Sequence, residues 1–276
     1  MWSLKYRLAA DRRQHKTLGA VLLLLGSQLA AAQPSPSTAP PPSRHWRVCL
    51  GPGPVPPLIS LDEKRPGLAE RLMLDAAKQV GLTVAFEVYP AKRCRLRMLQ
   101  GQSDALPLSA TESNRAEFQF PMRGTVVDAS RRIVSAQLVW IKRKDSLLEW
   151  DGQTLQGGDP SKLLVGTRAS FRVATDALTA LGLRVDESAF DVPQLFRKLA
   201  AQRIDIAVVL QEEAQAYMAD MAEQSQLELK VSPIPLLSRD FYLGTRPGLS
   251  AERQTQIEAW WEAIGQLRDK PQYRLR

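Results

Sequence analysis

The residues best suited to chemistry are few, and they follow predicted strands. Ser109, Thr111 and Arg115 come directly after a predicted strand at 104–108. In open α/β sheets, ligands bind at the carboxyl ends of strands. There an arginine offers a planar fork that grips a carboxylate through two parallel hydrogen bonds, and serine and threonine hydroxyls can add further donors. The stretch 167–171 leads into a predicted helix, whose N-terminus cradles anions; Ser170 there either contributes to that cradle or caps the helix. His15 and His45 are the chain's two histidines. The first lies in a segment expected to be removed and the second borders a proline-rich linker, so Ser-His-Asp or Cys-His catalysis lacks a base. Two cysteines exclude a disulfide-dense scaffold and argue against a structural zinc site.

These side chains must be held by a body large enough to have a core. The chain has 276 residues, 44% hydrophobic and 24% charged, which is an ordinary globular composition for one or two domains. Residues 1–32 read as a cleaved signal peptide. A basic stretch (Lys5, Arg7, Arg12, Arg13, Lys16) precedes the apolar TLGAVLLLLGSQLAAA, which ends on small residues. The apolar run is short for a spanning helix. Removing it takes five basic residues and Asp11 from the 37 Lys+Arg and 29 Asp+Glu, lowering the net charge from +8 to +4. That mild basicity does not point to nucleic acid, and the short basic run KRCRLR at 92–97 lacks the interleaved aromatics such binding uses. Residues 33–45 are a Pro/Ser-rich linker.

From residue 46 onward, strands alternate with helices. Strands are expected at 46–51, 82–88 and 104–108, with helices at 66–81 and 91–100. Leu68, Leu72, Ala76 and Val80 recur every four residues and give the first helix one buried stripe. A long β-like run at 131–142 leads out, and the pattern then restarts. Strands are expected at 163–167 and 204–210, helices at 173–182, 192–202 and 211–222, a returning strand at 234–245 and a terminal helix at 251–267. The alternation predicts parallel pairing through right-handed crossovers. Two α/β halves joined by two chain crossings form a cleft, a preferred place for a small-ligand site.

The chain resembles the bacterial periplasmic solute-binding protein family 3, the amino-acid-binding type with the type II periplasmic binding fold. The likeness is carried by RVCLGPGPVPPLISLDEKRPGLAERLMLDAAKQVGLTVAFEVYP, by KRCRLRMLQGQSDALPLSATESNRAEFQFP, and by KLLVGTRASF and FRKLAAQRIDIAVV in the second half. The resemblance implies an α/β two-lobe fold with a two-strand hinge. Lobe 1 would comprise 46–135 plus 240–276, and lobe 2 residues 136–239. It also implies that Arg115 holds a ligand carboxylate, although Thr111 and Arg115 stand four apart where the family usually has three. Arg93 would face the cleft, the alternative being a solvated face shared with Lys92, Arg95 and Arg97. Glu212 or Glu213 would take an α-amino group, the alternative being solvated helix-start glutamates. Cys49 and Cys94 would lie on adjacent elements, where an exported protein can form a disulfide; two buried free thiols are the alternative.

The expected function is therefore a periplasmic, monomeric solute-binding protein for ABC transport. It would close over a small carboxylate-bearing ligand, an amino acid or related polar solute, with no cofactor, no metal and no catalytic residue. Its partners would be the solute and an inner-membrane ABC permease or a sensor kinase, with neither nucleic acid nor a membrane span after cleavage. The alternatives are a dehydratase-like periplasmic enzyme on the same fold, with Glu212, Glu213 or Asp128 as its acid, and a ligand-free sensory or partner-binding domain.

Overall fold

The structure is a computed structural model describing residues 43–225 and 228–274. The expected signal peptide and most of the expected linker lie outside the described residues. The chain opens with β1 (His45–Leu50), α1 (Leu68–Gln79), β2 (Thr83–Val88), α2 (Ala91–Leu99) and β3 (Ala105–Ser109). The one-turn α3 (Glu112–Arg115) and a hairpin of β4 (Met122–Arg123) and β5 (Val126–Val127) follow. The long β6 (Val134–Arg143) leads out, and β7 (Glu149–Trp150) and β8 (Leu155–Gln156) form a second hairpin. Next come β9 (Leu164–Arg168), α4 (Arg172–Ala180), β10 (Arg184–Ala189), α5 (Val192–Ala200), β11 (Ile206–Leu210) and α6 (Gln211–Ser225). The chain returns through β12 (Leu229–Val231) and β13 (Leu237–Thr245) to α7 (Ala251–Arg268).

One sheet runs in the order β10-β9-β11-β6-β13-β3-β1-β2, with β12 added against β6. The outer strands on each side pair in parallel, as the alternation predicts. Two antiparallel strands join the halves, and each changes partner midway. β6 pairs with β13 from Val134 to Leu138 and with β11 from Leu138 to Ile141. β13 pairs with β6 from Leu237 to Phe241 and with β3 from Phe241 to Thr245. Ser135 and Asp240 face each other in this crossing and are hydrogen-bonded through their side chains.

Hydrophobic packing is grouped on either side of the crossing. Leu72, Met73 and Ala76 of α1 pack with Trp46, Trp260, Trp261 and Ile264. Both indoles of α7 find backbone partners: Trp260 Nε1 donates to Met73 O at 3.0 Å and Trp261 Nε1 to Leu243 O at 2.6 Å. These two indole hydrogen bonds tie α7 to α1 and to β13. On the other side, α5 is started by Asp191, whose side chain accepts from Gln194 N at 2.7 Å, and it buries Leu195, Phe196 and Leu199. β11 is buried along its whole length, which explains its unbroken apolar sequence.

Candidate functional site

A cavity of about 200 Å³ lies where the carboxyl ends of β1, β3, β9 and β11 converge. Most of its wall is aliphatic or aromatic, including Leu50, Leu58, Ile133, Phe171, Leu210 and Phe241. Its polar side chains are Ser109, Asn114, Ser170 and three arginines, Arg95, Arg168 and Arg172.

Local structure brings each arginine there. Cys49, near the end of β1, is bonded to Cys94 in the first turn of α2, with a Cα–Cα distance of 5.6 Å. This tie fixes the turn that carries Arg95. Arg95 Nη1 donates to Asn114 Oδ1 at 2.9 Å and Nη2 to Glu117 Oε2 at 2.7 Å, while the guanidinium lies over the Phe118 ring. Burial lowers its affinity for the proton, and the Glu117 hydrogen bond opposes that. Arg172 opens α4 and donates to the other Glu117 oxygen at 2.7 Å. Burial alone would raise the Glu117 carboxyl, but its hydrogen bonds from Arg172 and Arg95 outweigh that and hold it below its ordinary value. Glu117 thus links the half built on β1–β3 to the half built on β9–β11. Ser113 makes a second link, donating to Asp176 Oδ2 at 2.7 Å.

Arg168 ends β9 and pairs with Glu213 at 2.9 Å. Glu213 is 1% exposed and its other oxygen accepts from Leu210 N at 3.0 Å. Complete burial pushes the Glu213 carboxyl up, against the pull of the Arg168 guanidinium. Two donors remain unmet: Arg95 Nε and Arg168 Nε are enclosed by protein without a hydrogen-bond partner.

The structure distributes the residues expected from sequence differently. Ser109 and Ser170 line the cavity. Ser170 adopts a left-handed backbone (φ 60°) and does not cap α4, whose N-cap is Phe171, one residue later. Arg115 requires a correction, because it is exposed and stands outside the cavity wall. The reason is the phase of α3. Thr111 caps this single turn, accepting from Asn114 N at 3.3 Å, so the third residue after the cap turns inward and the fourth turns out. Asn114 is buried there, and its Nδ2 donates to Ser109 O at 2.7 Å. Engaged as a cap, Thr111 faces a separate open groove of about 740 Å³ shared with Asp176 and Arg239. Arg93 also falls outside the cavity; it is exposed and stacks over Tyr89 at 5.0 Å. Glu212 is buried with Oε2 unpartnered and its carboxyl pushed up, first by burial and then by the neighbouring Glu213, yet it is not on the cavity wall.

Arg95, Arg168, Arg172 and the bridging Glu117 carry the site, and a sequence signal existed for one of them. Arg168 follows the LLVG strand just as Arg115 follows its own, so the same strand-end reasoning applies to it. Arg95 is hidden among basic neighbours, and its phase on α2 is set by the Cys94 bond.

No protein-family model matches the chain, and no curated protein matches it in sequence. Several solved structures do match it in shape. The ligand-binding core of GluR0 from Nostoc punctiforme, in complex with L-glutamate, is 17% identical with a TM-score of 0.61, covering 83% of this chain and 95% of that one. The ancestral amino acid-binding protein AncCDT-1, a precursor of cyclohexadienyl dehydratase, is 16% identical with a TM-score of 0.60, covering 83% and 92%. A histidine kinase sensor domain with similarity to periplasmic binding proteins is 18% identical with a TM-score of 0.61, covering 84% and 93%. At these identities the likeness establishes architecture: this chain has the α/β type II periplasmic binding protein fold.

Proposed function

We propose that this protein is a periplasmic solute-binding protein that closes a cleft over a small carboxylate-bearing solute. In this reading residues 1–32 direct export, 33–45 form a linker, and two lobes (46–135 with 240–276, and 136–239) move about β6 and β13. Arg95 and Arg168 would clamp the carboxylate, one from each lobe, with Ser109 and Ser170 beside them. The observation that carries this reading is the convergence of Arg95, Arg168 and Arg172 on one cavity whose wall, among the described residues, holds no carboxylate. Guanidiniums grip a carboxylate through charge-assisted hydrogen bonds, which are stronger than neutral ones. The solved neighbours, one in complex with L-glutamate and one an ancestral amino acid-binding protein, support a solute-binding role. The loaded protein would act as a monomer and hand its signal or cargo to an inner-membrane permease or a sensor kinase, the second partner type being in keeping with the kinase sensor domain among the neighbours. Neither a cofactor nor a chemical step is part of this reading.

Thermal unfolding of residues 33–276 against amino acids, organic acids and small peptides tests it. A ligand at about 100 times its dissociation constant adds roughly 2.7 kcal/mol, which raises Tm by roughly 5–10 °C in a domain of this size. A carboxylate that produces this rise supports the reading; a flat panel with folded protein contradicts it.

A further inference from the structure

The cavity's charges are unevenly matched, and that unevenness bears on which carboxylates it accepts. Three guanidiniums, those of Arg95, Arg168 and Arg172, stand on its wall, whereas among the described residues no carboxylate does. The two acids nearest in the network are both engaged. Glu117 has one oxygen on Arg95 and the other on Arg172, each at 2.7 Å. Glu213 has one oxygen on Arg168 and the other on the Leu210 N–H. Each also stands behind its arginine rather than on the wall.

An ammonium group entering this space would lose its water and meet guanidiniums of like charge, with no acid to pair with. Burying an unpaired charge is strongly unfavourable, and a like charge nearby makes it worse. An anionic head meets the opposite situation, with three guanidinium-bearing residues, Arg95, Arg168 and Arg172, on the wall and no competing carboxylate there among the described residues. Leu50, Leu58, Ile133, Phe171, Leu210 and Phe241 on the wall accept hydrocarbon, and its other polar side chains, Ser109, Asn114 and Ser170, are neutral and give an ammonium no counter-charge.

We infer that the cavity selects carboxylates with an apolar body and no α-ammonium group, such as 2-oxo acids or short aliphatic and aryl acids, over the corresponding amino acids. This rests on the solute-binding reading above and narrows it.

The test titrates residues 33–276 calorimetrically with matched probes: phenylpyruvate against L-phenylalanine, 4-methyl-2-oxopentanoate against L-leucine, hexanoate, and succinate as a carboxylate without an apolar body. The inference expects at least one of phenylpyruvate, 4-methyl-2-oxopentanoate or hexanoate to bind, with each oxo acid that binds at least tenfold tighter than its amino acid. Ser170→Asp places a carboxylate on the wall at a left-handed position that aspartate tolerates, and it should shrink that ratio. An amino acid that binds as tightly as its oxo acid, or succinate as the tightest probe, overturns the inference and leaves the solute-binding reading standing. If no probe binds to folded protein, both fail.

Discussion

Arg168 and Glu213 form a structural pair that, in the reading proposed above, also positions a ligand-binding arginine. Glu213 is fully enclosed and Arg168 is 21% exposed, so removing Glu213 leaves a largely buried guanidinium without its partner. Glu213→Met should therefore destabilise the protein by about 3 kcal/mol, whereas replacing both residues with Met should be nearly neutral. Chemical unfolding of the two variants checks this, and equal losses would mean that Arg168 is not held by Glu213. Strand-end reasoning placed Ser109 and Ser170 where the structure lines the cavity with them. It left Arg115 off that wall because one turn of helix separates an inward from an outward position. In Thr111–Arg115 that turn was set by the Thr111 cap, a local hydrogen bond that does not show in residue type or spacing.

At the scale of elements, the bond between β1 and α2 does the positioning. Cys49 and Cys94 are 45 residues apart, and closing a loop of that size contributes about 4 kcal/mol in the chain-entropy account. The double variant Cys49→Ala/Cys94→Ala should lower Tm by roughly 8–16 °C. It should also weaken carboxylate binding, since Arg95 is the next residue along α2. A thermal scan with and without phenylpyruvate measures both effects, and an unchanged Tm would contradict the role given to this tie. Gly67 illustrates a tighter constraint. A Cβ there would meet Leu58 O at 2.3 Å, so Gly67→Ala should cost about 2 kcal/mol by forcing α1 off the loop it caps. Most elements were legible because their signals are strong. The stripe of α1, the unbroken apolar β11 and the paired tryptophans of α7 each read directly from spacing. β10 was not, because RVDESA at a sheet edge carries exposed polar residues and gives no apolar pattern. The small hairpins β4–β5 and β7–β8 were too short to register.

For the whole molecule, the two antiparallel strands β6 and β13 are the covalent passage between the halves near the cavity, while Glu117 and Ser113 link those halves through side chains. Ligand binding at this place can favour closure only through its greater affinity for the closed form. The folded Glu117 carboxyl sits below its ordinary value of 4.5, so its contribution to closure is complete above that value and is lost as pH falls through the folded one. Small-angle scattering should show the radius of gyration increasing on acidification below about pH 4.5, and Glu117→Gln should show the larger radius at neutral pH. An unchanged radius in that variant would remove Glu117 from the closing device.

The measurement that bears most directly on the central claim is calorimetric titration of phenylpyruvate, hexanoate, succinate and L-glutamate into three proteins. They are the unmodified residues 33–276, Arg168→Met/Glu213→Met, and Arg115→Ala. The account predicts that at least one of these carboxylates binds the unmodified protein. Loss of the buried arginine pair should weaken that binding roughly tenfold to a hundredfold, while Arg115→Ala leaves it within about twofold, because an exposed loop arginine contributes little. Binding that survives loss of the Arg168 pair but disappears in Arg115→Ala would contradict the account and return the clamp to the loop after β3.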